Sequence, residues 1–167
     1  MVLVTTQNFL QAAGFDTVAF DVSPSAISWC HERFPGSSVA YRTADLFSAP
    51  AEWTRAFAFV QESYTLQVLP PDKRVAAVSK IADFVKASGY LLVISRARGI
   101  GDEPGTMPWP LTEPEIRLFT EYGLELVSLE DYVDRESQPV RRFRALFRRR
   151  DRSTGTGLKG VLPKSSW

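Results

Sequence analysis

The sequence has one cysteine, Cys30, and one histidine, His31. A single thiol rules out an internal disulfide framework and suits a reducing compartment, so a cytoplasmic protein is expected. One histidine and no Cys/His cluster speak against an imidazole-based metal site, and no metal is expected. Long apolar runs are missing: none reaches the ~18 residues of a membrane span. Met1-Val2-Leu3-Val4 is too short for a secretory signal and has no basic leader. Charge of one sign is missing too. Twenty Lys+Arg against 19 Asp+Glu leave a net +1, so no global field calls for nucleic acid or membrane. Glycine is absent before Gly14, and no internal repeat is visible.

What is present is a soluble globular composition, 44% hydrophobic and 23% charged over 167 residues, one domain by length. Gln7–Ala13 reads as the end of a helix that Gly14 terminates in a left-handed cap. Thr17–Phe20 is strand-like and closes on Asp21. Ser23 is placed to cap a helix with Pro24 in its first turn, running to about Arg33. Ala26, Ile27, Cys30 and Phe34 form its inner stripe. Val39–Arg42 is a second short strand. Ala56–Val60 is a third, apolar enough to be covered on both faces. Pro70-Pro71-Asp72 opens a helix to about Ala87, with Val75, Val78, Ile81, Ala82 and Val85 inward and Gly89 at its end. Tyr90–Ser95 is the clearest strand. Strand alternating with helix predicts a parallel sheet flanked by helices. Thr112-Glu113-Pro114-Glu115 is a capping box for a helix ending at Gly123. Leu124–Val133 and Val140–Arg149 predict an antiparallel hairpin, and a polar, Gly-rich tail from Asp151 reads as disordered.

Three strands end in acidic residues, Asp21, Asp45 and Glu62, along the sheet edge where ligands bind in open α/β folds. Asp21 can accept both hydroxyls of a ribose, or it can be a plain surface Asp closing a strand. Asp45 with the Leu46 N–H can read an adenine edge: the carboxylate accepts from the exocyclic amine and the N–H donates to the ring. Glu62-Ser63-Tyr64 leaves the third strand where a reactive group and a substrate would meet. Trp109, between two prolines, is a candidate substrate wall.

V-A-F-D-V-S-P-S-A-I, then T-A-D-L-F, then F-V-Q-E-S-Y-T-L-Q-V-L-P-P, the strand after Gly89 and P-W-P-L-T together resemble class I S-adenosylmethionine-dependent methyltransferases. The bacterial small-molecule enzymes similar to thiopurine methyltransferases are the nearest type. The resemblance runs from about Asn8 to Arg149. It implies a Rossmann-like, seven-stranded and mostly parallel sheet ending in an antiparallel hairpin, over residues 1–150, with S-adenosylmethionine as cofactor and a small-molecule methyl acceptor. It implies that Asp21 binds the ribose, Val22 packs on the adenine, and Asp45 and Leu46 recognise its edge. Gln61, Glu62, Ser63 and Tyr64 would line the methionine part or the reacting methyl. Met107–Leu111, with Met107 and Trp109, would wall the acceptor pocket beside Tyr64. No residue stands out as a general base.

One departure is large. The family's first strand ends in an acidic-x-Gly-x-Gly loop that lets the backbone approach the cofactor. Here that position falls at Met1–Thr6, without glycine. The sequence reads as a family member that begins just after its cofactor loop, lacking the central strand between Thr17–Phe20 and Ala56–Val60. Met1–Val4 is strand-like but too short to restore it. The alternative to an enzyme is therefore a non-catalytic fragment or pseudoenzyme that acts at most as a binding partner. A nicotinamide-binding protein is disfavoured by the hairpin and the absent G-x-G-x-x-G.

Other residues carry blander readings. Cys30 sits on an inward stripe and reads as core, and His31 as solvated. Gly99, Gly101 and Gly105 form a flexible loop that opens no helix directly, and so no phosphate cradle. Arg141–Arg152 alternates with apolar residues, as charge protection of an edge hairpin does. No nucleic-acid or membrane partner is expected, and no oligomeric state follows.

Overall fold

A computed structural model describes residues 4–135 and 138–151. Of the strand-like Met1–Val4, Val4 opens a helix instead and the rest lies outside the described residues, as does the expected tail beyond Asp151. Helix α1 (Val4–Ala12) leads through Gly14, at φ +89°, to β1 (Val18–Asp21). Ser23 caps α2 (Pro24–Arg33): its side chain accepts from the Ala26 N–H and Pro24 fills the first turn. Strand β2 (Ala40–Thr43) and two short 3-10 turns, Leu46–Ser48 and Ala51–Trp53, lead to β3 (Phe57–Ser63). After the short α3 (Thr65–Val68) come α4 (Pro71–Phe84) and β4 (Val85–Arg96). The Thr112/Glu115 capping box is formed at α5 (Glu113–Arg117), which continues as a 3-10 turn to Tyr122. Gly123, at φ +78°, then reverses the chain into β5 (Leu124–Asp134) and β6 (Val140–Arg149). No helix among the described residues is long and apolar enough to cross a membrane.

The strands form two sheets. β1 and β2 pair in parallel. β3 pairs in parallel with β4, and β6 lies antiparallel between β4 and β5. The expected terminal hairpin is present. The expected interruption falls between β1 and β3: each pairs on one side only among the described residues.

Three expectations change. α4 stops at Phe84 instead of Ala87, and Val85 already belongs to β4. Gly89 therefore lies within a strand and ends no helix. The pairing of β3 with β4 slips between Phe57↔Val85 and Phe59↔Tyr90, and Ser88 takes up the slack at φ +58°. Gly89 passes so close to β3 that a Cβ there would meet the Ala58 carbonyl oxygen at 2.9 Å, which explains the glycine. Second, the inner face of α4 begins with Arg74, and Val75 is 49% exposed. Third, β3 is not covered on both faces. Ala58 and Phe59 are exposed, and among the described residues no strand pairs with the β1-facing edge of β3.

The main core lies between the four-stranded sheet and α4 with α5. Leu91, Val93, Phe119, Ala145 and Phe147 are fully buried there. Phe20 of β1 reaches this core, tilted against Trp53 (5.1 Å between centroids) and edge-on to Phe84 (6.0 Å). A separate small cluster, Cys30, Val39 and Tyr41, holds α2 against β1 and β2.

Candidate functional site

The carboxyl ends of β1 and β2 carry the two expected aspartates. Asp21 ends β1. Its Oδ1 accepts the Ser23 N–H at 2.8 Å, fixing the turn into α2, and its Oδ2 has no partner among the described residues. Val22 beside it is 69% exposed. Asp45 follows β2. Its Oδ1 accepts the Phe47 N–H (3.0 Å) and its Oδ2 lies 3.4 Å from the Ser48 hydroxyl. The Ala44 N–H donates to the Asp21 carbonyl at 3.0 Å, holding the two strand ends together. The Leu46 side chain is buried in the main core, which leaves only its backbone for recognition.

Across the interruption, Gln61, Glu62 and Ser63 are the last residues of β3 rather than a loop after it. The Gln61 amide donates to the Ser63 hydroxyl at 3.0 Å. Glu62 is buried. Its Oε1 accepts the Leu66 N–H at 3.1 Å and its Oε2 has no partner. Burial outweighs the backbone hydrogen bonds from Leu66 and Thr65 and raises its pKa from 4.5 to about 7. Glu62 is thus a proton-holding group near neutrality, a property its neighbours in sequence did not signal. Tyr64 has φ +69°, unusual for a bulky residue, and stands at the head of α3. The buried Arg142 guanidinium donates to its hydroxyl and lies over its ring at 5.5 Å. Arg142 also pairs with Asp134 at 3.0 Å.

Trp109 does line a cavity at this edge, of about 320 Å³, together with Pro71, Arg74, Arg98, Pro104 and Glu115. Met107 is 59% exposed and is not part of that lining. Its peptide bond to Pro108 is cis. Arg74 is buried under the Trp109 ring, 5.8 Å from its centroid. Arg74 and Arg98 were not singled out by sequence, and Arg142, expected within the charge-protecting arginine run of an edge hairpin, is instead buried, as is Arg149, on a strand that lies between β4 and β5. For Arg74 the signal existed: it stands three and four residues before Ala77 and Val78 and so shares the inner face of α4. A larger cleft, about 590 Å³, lies between Thr120–Val127 and Arg148–Arg150. It flanks the amino end of β4, where Tyr90 pairs with Arg148, on the opposite edge from these groups.

Cys30 is buried, and burial, then the Asp21 carboxylate, raise its thiol pKa. That makes it a poor nucleophile and fits the core reading. His31 is exposed, edge-on to Tyr41 at 5.3 Å. The hairpin arginines pair across the strands: Arg141 with Asp131, Arg144 with Glu130 and Arg150 with Glu125.

No protein-family model matches the chain, and no curated protein matches it. Solved structures do. A SAM-dependent methyltransferase from Methanosarcina mazei superposes with a TM-score of 0.70 at 13% identity, over 86% of each chain. The 1,6-didemethyltoxoflavin-N1-methyltransferase of Burkholderia thailandensis, solved with bound 1,6-didemethyltoxoflavin and S-adenosylhomocysteine, gives 0.66 at 16% identity. That match covers 86% of this chain but 65% of the enzyme, less than two thirds of its length. The [4+2]-cyclase SpnF gives 0.72 at 15% identity, over 88% of this chain and 72% of the cyclase. The fold is that of the class I SAM-dependent methyltransferases. Identities this low establish architecture, and the cyclase is a reminder that this architecture serves more than one chemistry.

Proposed function

We propose that the protein takes part in S-adenosylmethionine-dependent methyl transfer to a small-molecule acceptor, with the cofactor ribose on Asp21 and the adenine edge on Asp45 and the Leu46 backbone. The supporting observation is the pair of carboxylates at the joined carboxyl ends of two adjacent parallel strands, one with an oxygen that has no partner among the described residues. The exposed Val22 offers an apolar surface for the base. Gln61, Glu62 and Ser63 are proposed for the methionine side, and Tyr64, Met107 and Trp109 for the acceptor side. The nucleoside end fits the residues present. At the methionine end, no Gly-rich cradle lies beside β1 or β3 among the described residues.

The cofactor would supply an electrophilic methyl group on a sulfonium. The chain's own part is to orient an acceptor nucleophile in line with that methyl and to keep water away. Burial of Glu62 keeps a proton at its carboxyl near neutrality, and Arg142 fixes the Tyr64 phenol. No covalent intermediate on the protein is required.

Calorimetric titration with S-adenosylhomocysteine tests this reading. Saturable binding is expected, and Asp21→Ala should weaken it by about 1–3 kcal/mol, the cost of an unmet hydrogen-bonding partner. Asp21→Asn, which keeps the turn-forming oxygen, separates the turn from the ribose contact: it should weaken binding while leaving the melting temperature unchanged. A folded chain that binds no S-adenosylhomocysteine favours the second reading, a non-catalytic binding partner. The interruption between β1 and β3 is the observation in favour of that reading, because the cofactor's methionine end would lie across it.

A further inference from the structure

The cavity beside Trp109 contains more positive than negative charge. Arg74 and Arg98 line it together with one carboxylate, Glu115, and that carboxylate is already engaged. Its Oε1 accepts from Arg74 Nη1, and its Oε2 accepts the Thr112 N–H (2.8 Å) and hydroxyl (2.9 Å). These contacts hold the Glu115 carboxyl below the usual range despite partial burial. One nitrogen of each guanidinium makes no hydrogen bond among the described residues. Arg74 Nη2 is buried with no hydrogen-bond partner, while Nε of the same side chain donates to the Leu66 and Leu69 carbonyls at 3.2 Å. Arg98 Nη2 forms a second, longer ion pair with Glu115, 3.6 Å from Oε2 and beyond hydrogen-bond reach, while its Nε and Nη1 donate to the Pro110 and Asp102 carbonyls. Of the other acids on these segments, Asp102 accepts the Gly99 N–H, Glu113 pairs with Arg117, and Asp72 and Glu103 are exposed.

The Arg98 N–H is not hydrogen-bonded by its long ion pair, and a planar two-oxygen acceptor is the group that best meets a guanidinium donor. The rest of the lining, one indole and two prolines, is flat and apolar. We propose that this cavity is a carboxylate-binding subsite for a small planar acid: Arg98 Nη2 takes the carboxylate, the buried Arg74 guanidinium adds positive charge, and Trp109 walls the ring. In the methyl-transfer reading, on which this assignment of role rests, the acceptor is then an aromatic or similarly flat acid.

The site is tested on the full chain without cofactor, by calorimetry with benzoate, its neutral counterpart benzamide, and acetate. Benzoate should bind about tenfold or more tightly than either, since one lacks the charge and the other the ring. Arg98→Gln should abolish the preference over benzamide, and Arg98→Lys should restore part of it. Arg74 ties α3, α4 and α5 together and is left intact. Equal binding of benzoate and benzamide, or a preference that survives Arg98→Gln, overturns the proposal. If Arg98→Gln does not fold, the three-ligand comparison on the parent chain decides alone. Benzoate preference without S-adenosylhomocysteine binding would uphold the subsite and sink the methyl-transfer reading, and the converse result would do the opposite.

Discussion

The two sheets carry different halves of one proposed site and are built differently. The four-stranded sheet is packed on helices, with Phe119, Phe147, Leu91 and Val93 all fully buried. It holds Glu62 and the Trp109 cavity, proposed for the methionine and acceptor sides. The two-stranded sheet has one small cluster, in which Cys30, Val39 and Tyr41 each keep 5–6% exposure. It holds Asp21 and Asp45, the nucleoside side, and Val22 there is open to solvent. Two strands and one helix bury too little to be stable alone. Phe20 is the aromatic link to the larger core, through Trp53 and Phe84. The acceptor half is thus rigid and already shaped. The nucleoside half is the part whose order has most to gain from a ligand or a neighbouring strand.

The largest expected effect tests whether the larger core supports both halves. Phe147 is fully buried against Phe119, with 5.4 Å between ring centroids. Phe147→Ala should destabilise the protein by about 3–5 kcal/mol. Denaturant unfolding followed by hydrogen exchange checks it. Loss of protection in both sheets is expected. If β1 and β2 kept theirs, the small sheet would be independent and the comparison would fail.

An intermediate effect comes from Glu62. With its carboxyl raised to about 7 by burial, the native state binds a proton that the unfolded state has already released. Its contribution to stability is therefore fully present below about pH 4.5 and is lost as pH rises through about 7. The displacement corresponds to about 3 kcal/mol. Glu62→Gln should remove this slope, gaining up to that amount over the parent at pH 8 and none at pH 4. Parallel pH–stability profiles for parent and variant would show that Glu62 is not the group responsible. The four-stranded half would then hold no charge penalty to set against its packing.

The sequence revealed local rules and hid those set by tertiary contact. The Asp21–Ser23–Pro24 turn, the Thr112/Glu115 box and the hairpin were legible because each rests on a few neighbouring residues. The end of α4 was not. Val85 continues the helical stripe, so periodicity carried it past Phe84, while pairing with Phe57 draws it into β4. Arg74 was missed for a related reason: an arginine on an apolar face looks misplaced until the carbonyls of Leu66 and Leu69 and the carboxylate of Glu115 surround it. The interruption beside β1 was legible only as an absence, the missing glycine loop. The exposure of Ala58 and Phe59 is its structural counterpart.

The smallest effect probes the small sheet on its own terms. Ser23 accepts the Ala26 N–H at 3.3 Å, and its own N–H is held by Asp21, so one turn serves both the helix cap and the proposed ribose anchor. Ser23→Ala removes the side-chain cap but leaves the backbone contact to Asp21. It should cost about 1 kcal/mol. If the small sheet is the less stable half, that loss should appear first as faster amide exchange in α2, β1 and β2, with exchange in β4 and β6 unchanged. Uniform acceleration would mean that the two sheets open together. In that case weak cofactor binding could not be attributed to local disorder around Asp21, and the interruption itself would have to account for it.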